Sequence, residues 1–212
     1  FTEERREEAG RQFVDVGIAE EHAVAMASAI AAGGGKPVFG VYSTFIQRAY
    51  DQLSQDLCIN NNPALILVFW GGASSMNDVT HLCLFDIPVI GNIPNMVYLA
   101  PTCREEYQAM LEWGIHQTEY PVAVGVPANG VISRGIDPEK DYGKLLNRYE
   151  VSRRGEKVAV LGLGSFYQLG EEVVRKLKED TGIDATLVNP RFITGVDEEL
   201  LEDLKCDHTL VV

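Results

Sequence analysis

The sequence predicts an α/β protein built from two parallel-sheet, three-layer domains. Short apolar and β-branched runs alternate with helical stretches along the chain, and this order is typical of parallel strands joined by crossover helices. The run at 64–70 is continuously apolar, as in a strand buried on both faces. A stretch rich in Gly, Pro, Asp and Lys interrupts the pattern. We therefore expect a first domain at 1–127, a linker at 128–155 and a second domain at 156–212.

The first domain begins with an Ala-rich stretch at 19–32 that predicts a largely buried helix, ended by three glycines. A strand at 37–42 follows. Apolar residues spaced four apart then predict one continuous helix over 44–59. The apolar run at 64–70 is the next strand.

The second half of this domain starts with a Gly-, Ser- and Asn-rich stretch at 71–95, which is typical of a functional loop. We expect a strand at 96–100. Thr102, with Glu105 three residues later, predicts a capping box that opens a helix. A strand at 121–126 is the last of the first sheet in chain order.

The second domain repeats the alternation in a shorter form. Predicted strands lie at 157–163, 185–189 and 209–212, and predicted helices at 166–178 and 197–205. The chain stops in the middle of this pattern, which predicts that the second domain is incomplete and that the chain is a fragment.

Composition excludes several classes of partner. With 31 acidic and 18 basic residues, the formal charge of −13 would repel a nucleic-acid backbone. No apolar run approaches the roughly 20 residues of a membrane-spanning helix, and the start lacks a secretory signal. Four scattered cysteines without CxxC spacing predict reduced thiols and no metal site. These features predict a soluble, cytoplasmic protein.

Four sequence motifs carry a resemblance to a known family. They are DVGIAEEHAV at 15–24, YSTFIQRAYDQ at 42–52, THLCLFD at 80–86 and IPNMVYLAP at 93–101. Together with the second α/β unit, they resemble the pyrimidine-binding and C-terminal domains of the transketolase group, especially the 1-deoxy-D-xylulose-5-phosphate synthases. The resemblance covers nearly the whole chain and implies a thiamine-diphosphate-dependent transferase of isoprenoid precursor synthesis. It also implies that the first domain is truncated as well, with its first strand missing before Phe1.

Glu20 matches the family's catalytic glutamate, whose carboxyl group hydrogen-bonds N1′ of the cofactor's aminopyrimidine. The cofactor becomes a nucleophile only when its own 4′-amino group can take the C2 proton, which this bond promotes. From the residues alone, Glu20 and Glu21 could equally place negative charge at a helix N-terminus. The flanking motif assigns Glu20 to catalysis and cofactor binding, and Glu21 to structure.

Tyr42 and Phe45 match aromatic residues that pack on the pyrimidine ring of the cofactor. Ordinary core packing is the alternative for both. Arg48 matches an arginine near the substrate, where it could pair with a phosphate or carboxylate. A surface ion pair with Asp51 or Asp56 is the competing interpretation.

His81 matches a histidine that faces the substrate and could move protons at its carbonyl and hydroxyl groups. A lone loop histidine without such a role is the alternative. Asn77 stands where the family has an aspartate, so the resemblance places it among the substrate-binding residues.

Two departures from the family affect the acceptor substrate. Trp70 and Ala128 occupy the positions of arginines that bind the phosphate of glyceraldehyde 3-phosphate in the family. Losing both removes charge-assisted bonds of roughly 1.5–3 kcal/mol each. We therefore expect that glyceraldehyde 3-phosphate is a poor acceptor.

The resemblance implies a two-carbon (ketol or acyl) transfer from pyruvate to a small-molecule acceptor. The Mg²⁺ and diphosphate ligands are expected in an N-terminal domain outside this chain, or in a separate chain, and the assembly is expected to be a homodimer. Two alternatives remain: a transketolase-type or 2-oxoacid dehydrogenase β-subunit of a split enzyme with another acceptor, and a catalytically silent scaffold or regulatory paralogue.

Overall fold

The computed structural model describes residues 2–72 and 79–212. Its helices are α1 Glu3–Ala9, α2 Glu20–Ala32, α3 Ser43–Ile46, α4 Asp86–Ile90, α5 Arg104–His116, α6 Tyr167–Thr181 and α7 Glu198–Asp207. Its strands are β1 Val38–Tyr42, β2 Leu65–Phe69, β3 Val97–Leu99, β4 Val122–Val126, β5 Glu150–Arg153, β6 Lys157–Leu161, β7 Thr186–Asn189 and β8 His208–Val211. No helix in these two ranges is long and apolar enough to cross a membrane.

The first sheet is parallel, with the described strands in the order β1-β2-β4-β3. Helix α2 and the segment after α3 pack on one face of this sheet. Helix α5 packs on the other, with Met110 and Trp113 against β2 and β4. The predicted three-layer α/β architecture is confirmed for this unit, because a parallel sheet must bury both faces.

The second sheet is mixed rather than wholly parallel. Its described strands run β5-β7-β6-β8, and β5 is antiparallel to β7. Helices α6 and α7 pack on separate clusters of this unit. Strand β5, with the sequence EVSR, is a polar edge strand, so it lacks the apolar signal that predicts buried strands. It lies inside the segment predicted as a linker, and the domain bounds 1–127, 128–155 and 156–212 stay a prediction.

The prediction of one continuous helix over 44–59 is wrong. The segment forms α3, a 3₁₀ turn at Gln47–Ala49 and a π-helix at Gln52–Cys58. Side chains from elsewhere support the π-helix: Ser28 Oγ donates to the Asp56 carbonyl at 2.6 Å, and Asn95 Nδ2 to the Cys58 carbonyl at 3.2 Å. These tertiary hydrogen bonds offset the poorer geometry of a π-turn.

The predicted loop over 71–95 also contains a short helix, α4. Asp86, the first residue of α4, is buried and accepts a hydrogen bond of 2.6 Å from the Tyr98 hydroxyl of β3. Burial, and then the neighbouring carboxylate of Asp86, raises the pKa of Tyr98 well above its usual value. This bond fixes the end of the loop to the sheet.

The predicted capping box of Thr102 and Glu105 is wrong, because Glu106 makes the contact. Helix α5 has Cys103 as its N-cap residue. Both the Thr102 backbone N–H and its hydroxyl donate to Glu106 Oε2, at 2.8 and 2.7 Å. Glu106 Oε1 accepts from Asn189 Nδ2 of β7 at 2.9 Å. The buried carboxylate therefore joins the two α/β units.

Replacing Glu106 with alanine should lower the free energy of unfolding by about 3–5 kcal/mol, because its buried donors lose their partner. Chemical denaturation of the purified chain measures this change. Glu112→Ala is the matched control, since Glu112 lies exposed on the same helix and should change stability by less than about 0.5 kcal/mol. Equal effects of the two substitutions would contradict the role assigned to Glu106.

Glu105 instead holds the segment that follows the first sheet. It accepts hydrogen bonds from the Ser133 hydroxyl and from the backbone N–H groups of Arg134 and Gly135. The Ser133 hydroxyl, and then the Arg134 amide, lowers the pKa of Glu105 to about 2. These bonds need the ionised carboxylate.

This contact predicts a pH-dependent loosening of the 133–135 segment. Because the pKa of Glu105 is lower in the folded chain, its stabilising contribution is present above about pH 4.5 and is lost as the pH falls towards 2. The protection factors of the Arg134 and Gly135 amides, which compare their exchange with the intrinsic rate at the same pH, should fall over that window. Glu105→Gln should show lower protection at every pH and no such step. A step that remains in this variant would mean that another group titrates.

Candidate active site

The candidate site lies at the carboxyl edge of the first sheet. Tyr42 at the end of β1 is paired in register with Phe69 at the end of β2, and Phe69 with Val126 at the end of β4. The three strands therefore end level with one another. In parallel α/β sheets, ligands bind outside this edge.

Glu20 is the first residue of α2, and its side chain is 11% exposed. The rest of the helix is rich in Ala and packs in the core, and Glu20 itself is buried at the start of the helix. Oε2 accepts a hydrogen bond of 3.2 Å from Arg48 Nη1. Within the described residues, Oε1 accepts no hydrogen bond, which leaves one carboxyl oxygen available to a ligand.

Arg48 contacts Glu20 rather than Asp51 or Asp56. The ion pair is 3.2 Å long, and the arginine side chain is 47% exposed. Arg48 belongs to the 3₁₀ turn Gln47–Ala49, which packs against α2. The competing interpretation, an ion pair with Asp51 or Asp56, is therefore wrong, because Arg48 pairs with Glu20. Substrate binding by Arg48 stays a prediction.

Four rings form an aromatic cluster at the carboxyl edge of the sheet, here called the edge cluster: Tyr42, Phe45, Trp70 and His81. The Tyr42 ring centroid lies 4.9 Å from that of Trp70 and 6.1 Å from that of Phe45. The Phe45 and His81 centroids are 5.3 Å apart in an edge-to-face arrangement. The structure thus brings together three residues that the sequence assigned to the site, and adds Trp70.

His81 lies in the exposed loop that leads to α4. Its Nδ1 is 2.8 Å from Thr80 Oγ1, so this hydroxyl can fix the orientation of the ring. Asn77, the remaining predicted substrate residue, lies outside the described residues.

Trp70 is a site residue that was not predicted as such. The sequence analysis names it only because it occupies the position of a family arginine. Its backbone is left-handed, with φ of 61°, a conformation that bulky residues rarely adopt. Its N–H donates to the Val126 carbonyl at 2.9 Å, which ties it to β4. One feature of the sequence could have pointed to this residue: the apolar run ends in Trp70 immediately before two glycines.

The residues present fit the pyrimidine half of thiamine diphosphate. Helix α2, which carries a carboxyl oxygen without a partner among the described residues, contacts β1, and Tyr42 at the end of β1 belongs to the edge cluster. A carboxyl group and aromatic rings are the contacts that an aminopyrimidine requires. Diphosphate and Mg²⁺ need a different donor set. Among residues 2–72 and 79–212, no group of three or more His, Cys, Asp or Glu side chains is arranged to hold a metal ion.

Comparison with known families identifies this architecture. Residues 1–130 match the model of the transketolase pyrimidine-binding domain, and residues 147–212 match the transketolase C-terminal domain. The chain belongs to the transketolase family. The resemblance drawn from the sequence motifs is thereby confirmed, and the family is one of thiamine-diphosphate-type ketol transfer.

Curated transketolase-family relatives are 1-deoxy-D-xylulose-5-phosphate synthases. The protein of Clostridium perfringens strain SM101 is 39% identical over 209 residues, which is 98% of this chain and 33% of the relative. That of Clostridium acetobutylicum is 39% identical over 199 residues, 93% of this chain and 32% of the relative. The chain thus spans about a third of the length of the curated relatives it matches.

Solved structures of transketolases share the fold. A split-gene transketolase described as an inactive β4 tetramer has a TM-score of 0.80 and 22% identity, and the match covers 100% of this chain and 69% of that one. A Pichia stipitis transketolase in complex with sedoheptulose 7-phosphate has a TM-score of 0.72 and 19% identity, with 83% of this chain and 26% of that one covered. At these identities the likeness concerns the fold alone.

Proposed function

We propose that this chain supplies the pyrimidine-binding half of a thiamine-diphosphate-dependent enzyme that transfers a two-carbon unit from pyruvate to an aldehyde. The observation that carries the proposal is the buried Glu20 carboxyl group, which has one oxygen without a partner among the described residues and lies at the start of a helix that contacts β1 and the turn after α3. When bound, the cofactor supplies the nucleophilic carbon that takes up the two-carbon unit. The identity with 1-deoxy-D-xylulose-5-phosphate synthases supports pyruvate as donor.

Each residue of the site has a defined task in this proposal. Glu20 Oε1 hydrogen-bonds N1′ of the aminopyrimidine and holds a proton there, while Tyr42 and Phe45 pack against the ring. Arg48 orients the carboxyl group through Oε2. His81 moves a proton at the substrate oxygen. Pyruvate loses CO₂, the remaining two carbons bond to the aldehyde carbon, and the aldehyde oxygen gains a proton.

The diphosphate and Mg²⁺ are held by a further part of the protein or by a separate chain. Exposed apolar side chains that flank His81 along the chain support a covering partner: Val79, Leu84, Phe85 and Ile87 are all exposed. A split transketolase with the same fold supports the separate-chain form. The free cysteines support a cytoplasmic location. We call this chain, together with the diphosphate-binding part, the assembled enzyme.

Release of CO₂ from pyruvate by the assembled enzyme tests this function. We expect release that requires both thiamine diphosphate and Mg²⁺. Consumption of a ketose donor in place of pyruvate would favour the transketolase-type alternative. Cofactor binding without reaction of either donor would favour the silent paralogue and contradict the proposal.

A further inference from the structure

We propose that Trp70, packed against Tyr42, binds the uncharged body of the acceptor through its ring face, so that the enzyme selects an unphosphorylated aldehyde. This inference rests on the proposed function and names its acceptor class. It starts from the charge at the carboxyl edge of the first sheet. An acceptor phosphate there would need a cationic side chain or a cluster of N–H donors.

Cations are scarce in this unit. Between Lys36 and Arg134 the sequence contains two, Arg48 and Arg104. Positions 49–103, which include β2, the loop with His81 and β3, contain no Lys or Arg at all. This distribution is a property of the sequence and therefore includes residues 73–78.

The two cations of this stretch, and Arg134 at its end, are paired or follow a strand that is not adjacent to β2. Arg48 is paired with Glu20 at 3.2 Å. Arg134 is paired with Glu171, and its guanidinium stacks on Tyr167 at 4.8 Å. Arg104 follows β3, which β4 separates from β2. Neighbouring strands are about 4.8 Å apart, so β3 lies roughly 10 Å from β2.

In place of charge, the ends of β1 and β2 present aromatic faces. Tyr42 is 43% exposed and Trp70 is 47% exposed, although their ring centroids are only 4.9 Å apart. Rings packed as core would be covered on both sides, whereas these leave nearly half of their surface open. Across the next strand, the chain after Val126 continues with Pro127 and Ala128, which add no charge.

Trp70 is the member of the edge cluster that this proposal assigns to the acceptor. Phe45 lies in α3, immediately before the turn whose Arg48 pairs with Glu20. Tyr42 contacts both Phe45 and Trp70, so one ring separates Trp70 from Phe45, which the proposed function assigns to the cofactor. An aromatic face recognises C–H groups and apolar surface without needing a charge.

A matched pair of acceptors tests the inference: glyceraldehyde and glyceraldehyde 3-phosphate, which differ only in the phosphate. With the assembled enzyme we expect a higher kcat/KM for glyceraldehyde. In saturation-transfer difference NMR, irradiation of the protein's aromatic protons should transfer saturation to glyceraldehyde. Trp70→Ala should lower kcat/KM for glyceraldehyde roughly three- to tenfold, and Trp70→Phe should restore most of it. Trp70→Arg should raise kcat/KM for the phosphorylated acceptor roughly ten- to a hundredfold.

Tyr50→Ala is the control, since Tyr50 is 42% exposed and hydrogen-bonded to Asn92, outside the edge cluster. Exchange of the cofactor C2 proton in the wild type, without acceptor, separates the two ways of failing. No exchange would overturn the proposed function and this inference with it. Normal exchange with a preference for glyceraldehyde 3-phosphate, or equal effects of Trp70→Ala and Tyr50→Ala, would overturn this inference alone.

Discussion

Replacing Glu20 with glutamine is expected to lower the rate of C2 proton exchange in bound thiamine diphosphate by roughly 10²–10⁴-fold. Glutamine keeps the shape of the side chain, and with it the start of α2. It cannot hold an acidic proton at N1′, however, and its neutral amide cannot form the ion pair with Arg48. Deuterium exchange at C2, followed by NMR in the assembled enzyme, measures the rate.

Glu21→Gln is the matched control for this change. Glu21 is the next residue of the same helix and makes no hydrogen bond or ion pair within the described residues. Its substitution should leave the exchange rate within about twofold of the wild type, well below the factor that an acid–base group contributes. An exchange rate in Glu20→Gln equal to that of the wild type would remove Glu20 from the catalytic role.

The second large effect concerns cofactor affinity. The 212-residue chain alone should bind thiamine diphosphate with a dissociation constant of about a millimolar or weaker, and the assembled enzyme roughly a thousandfold more tightly. A single carboxyl bond contributes roughly 1.5–3 kcal/mol and aromatic packing roughly 0.5–1.5, against at least about 4 for immobilising the ligand. Most of the cofactor's charge resides in two phosphates and their Mg²⁺.

Isothermal titration with and without Mg²⁺ measures this affinity. We expect that Mg²⁺ strengthens binding in the assembled enzyme and has no effect on the chain alone. Thiamine without its diphosphate serves as the control ligand, because the chain alone should bind it about as weakly as the complete cofactor. A micromolar constant for the isolated chain would mean that diphosphate ligands are present in these residues.

The fold could be predicted from the sequence where local pattern and final environment agree. Helix α2 follows from its alanines and the glycines after it, and β2 from a continuous apolar run. The π-helix could not be predicted, because its carbonyl groups are satisfied by Ser28 and Asn95, residues distant in sequence. The contact between Thr102 and Glu106, rather than Glu105, could not be predicted for a similar reason. Asn189 of the other unit hydrogen-bonds the Glu106 carboxylate, and this residue is distant in sequence.

The candidate site could likewise be predicted only in part from the sequence. Glu20, Tyr42, Phe45 and His81 came from motifs, and the structure places the three rings in one cluster. Trp70 joins them because β1 and β2 are neighbours in register, so that Tyr42 and Trp70 meet at the sheet edge. Strand order is a tertiary property that the pattern of one chain does not encode. The pairing of Arg48 with Glu20 depends in turn on the break after α3.

The hydrogen bond between the Glu20 carboxyl group and N1′ of the cofactor can be measured directly. The ¹⁵N resonance of N1′-labelled thiamine diphosphate, bound to the assembled enzyme, should differ clearly from that of the free cofactor and return towards it in Glu20→Ala. Glu21→Ala should leave the bound resonance unchanged. An N1′ resonance that is the same in the wild type and in Glu20→Ala would contradict the assignment of this chain as the pyrimidine-binding half of the site.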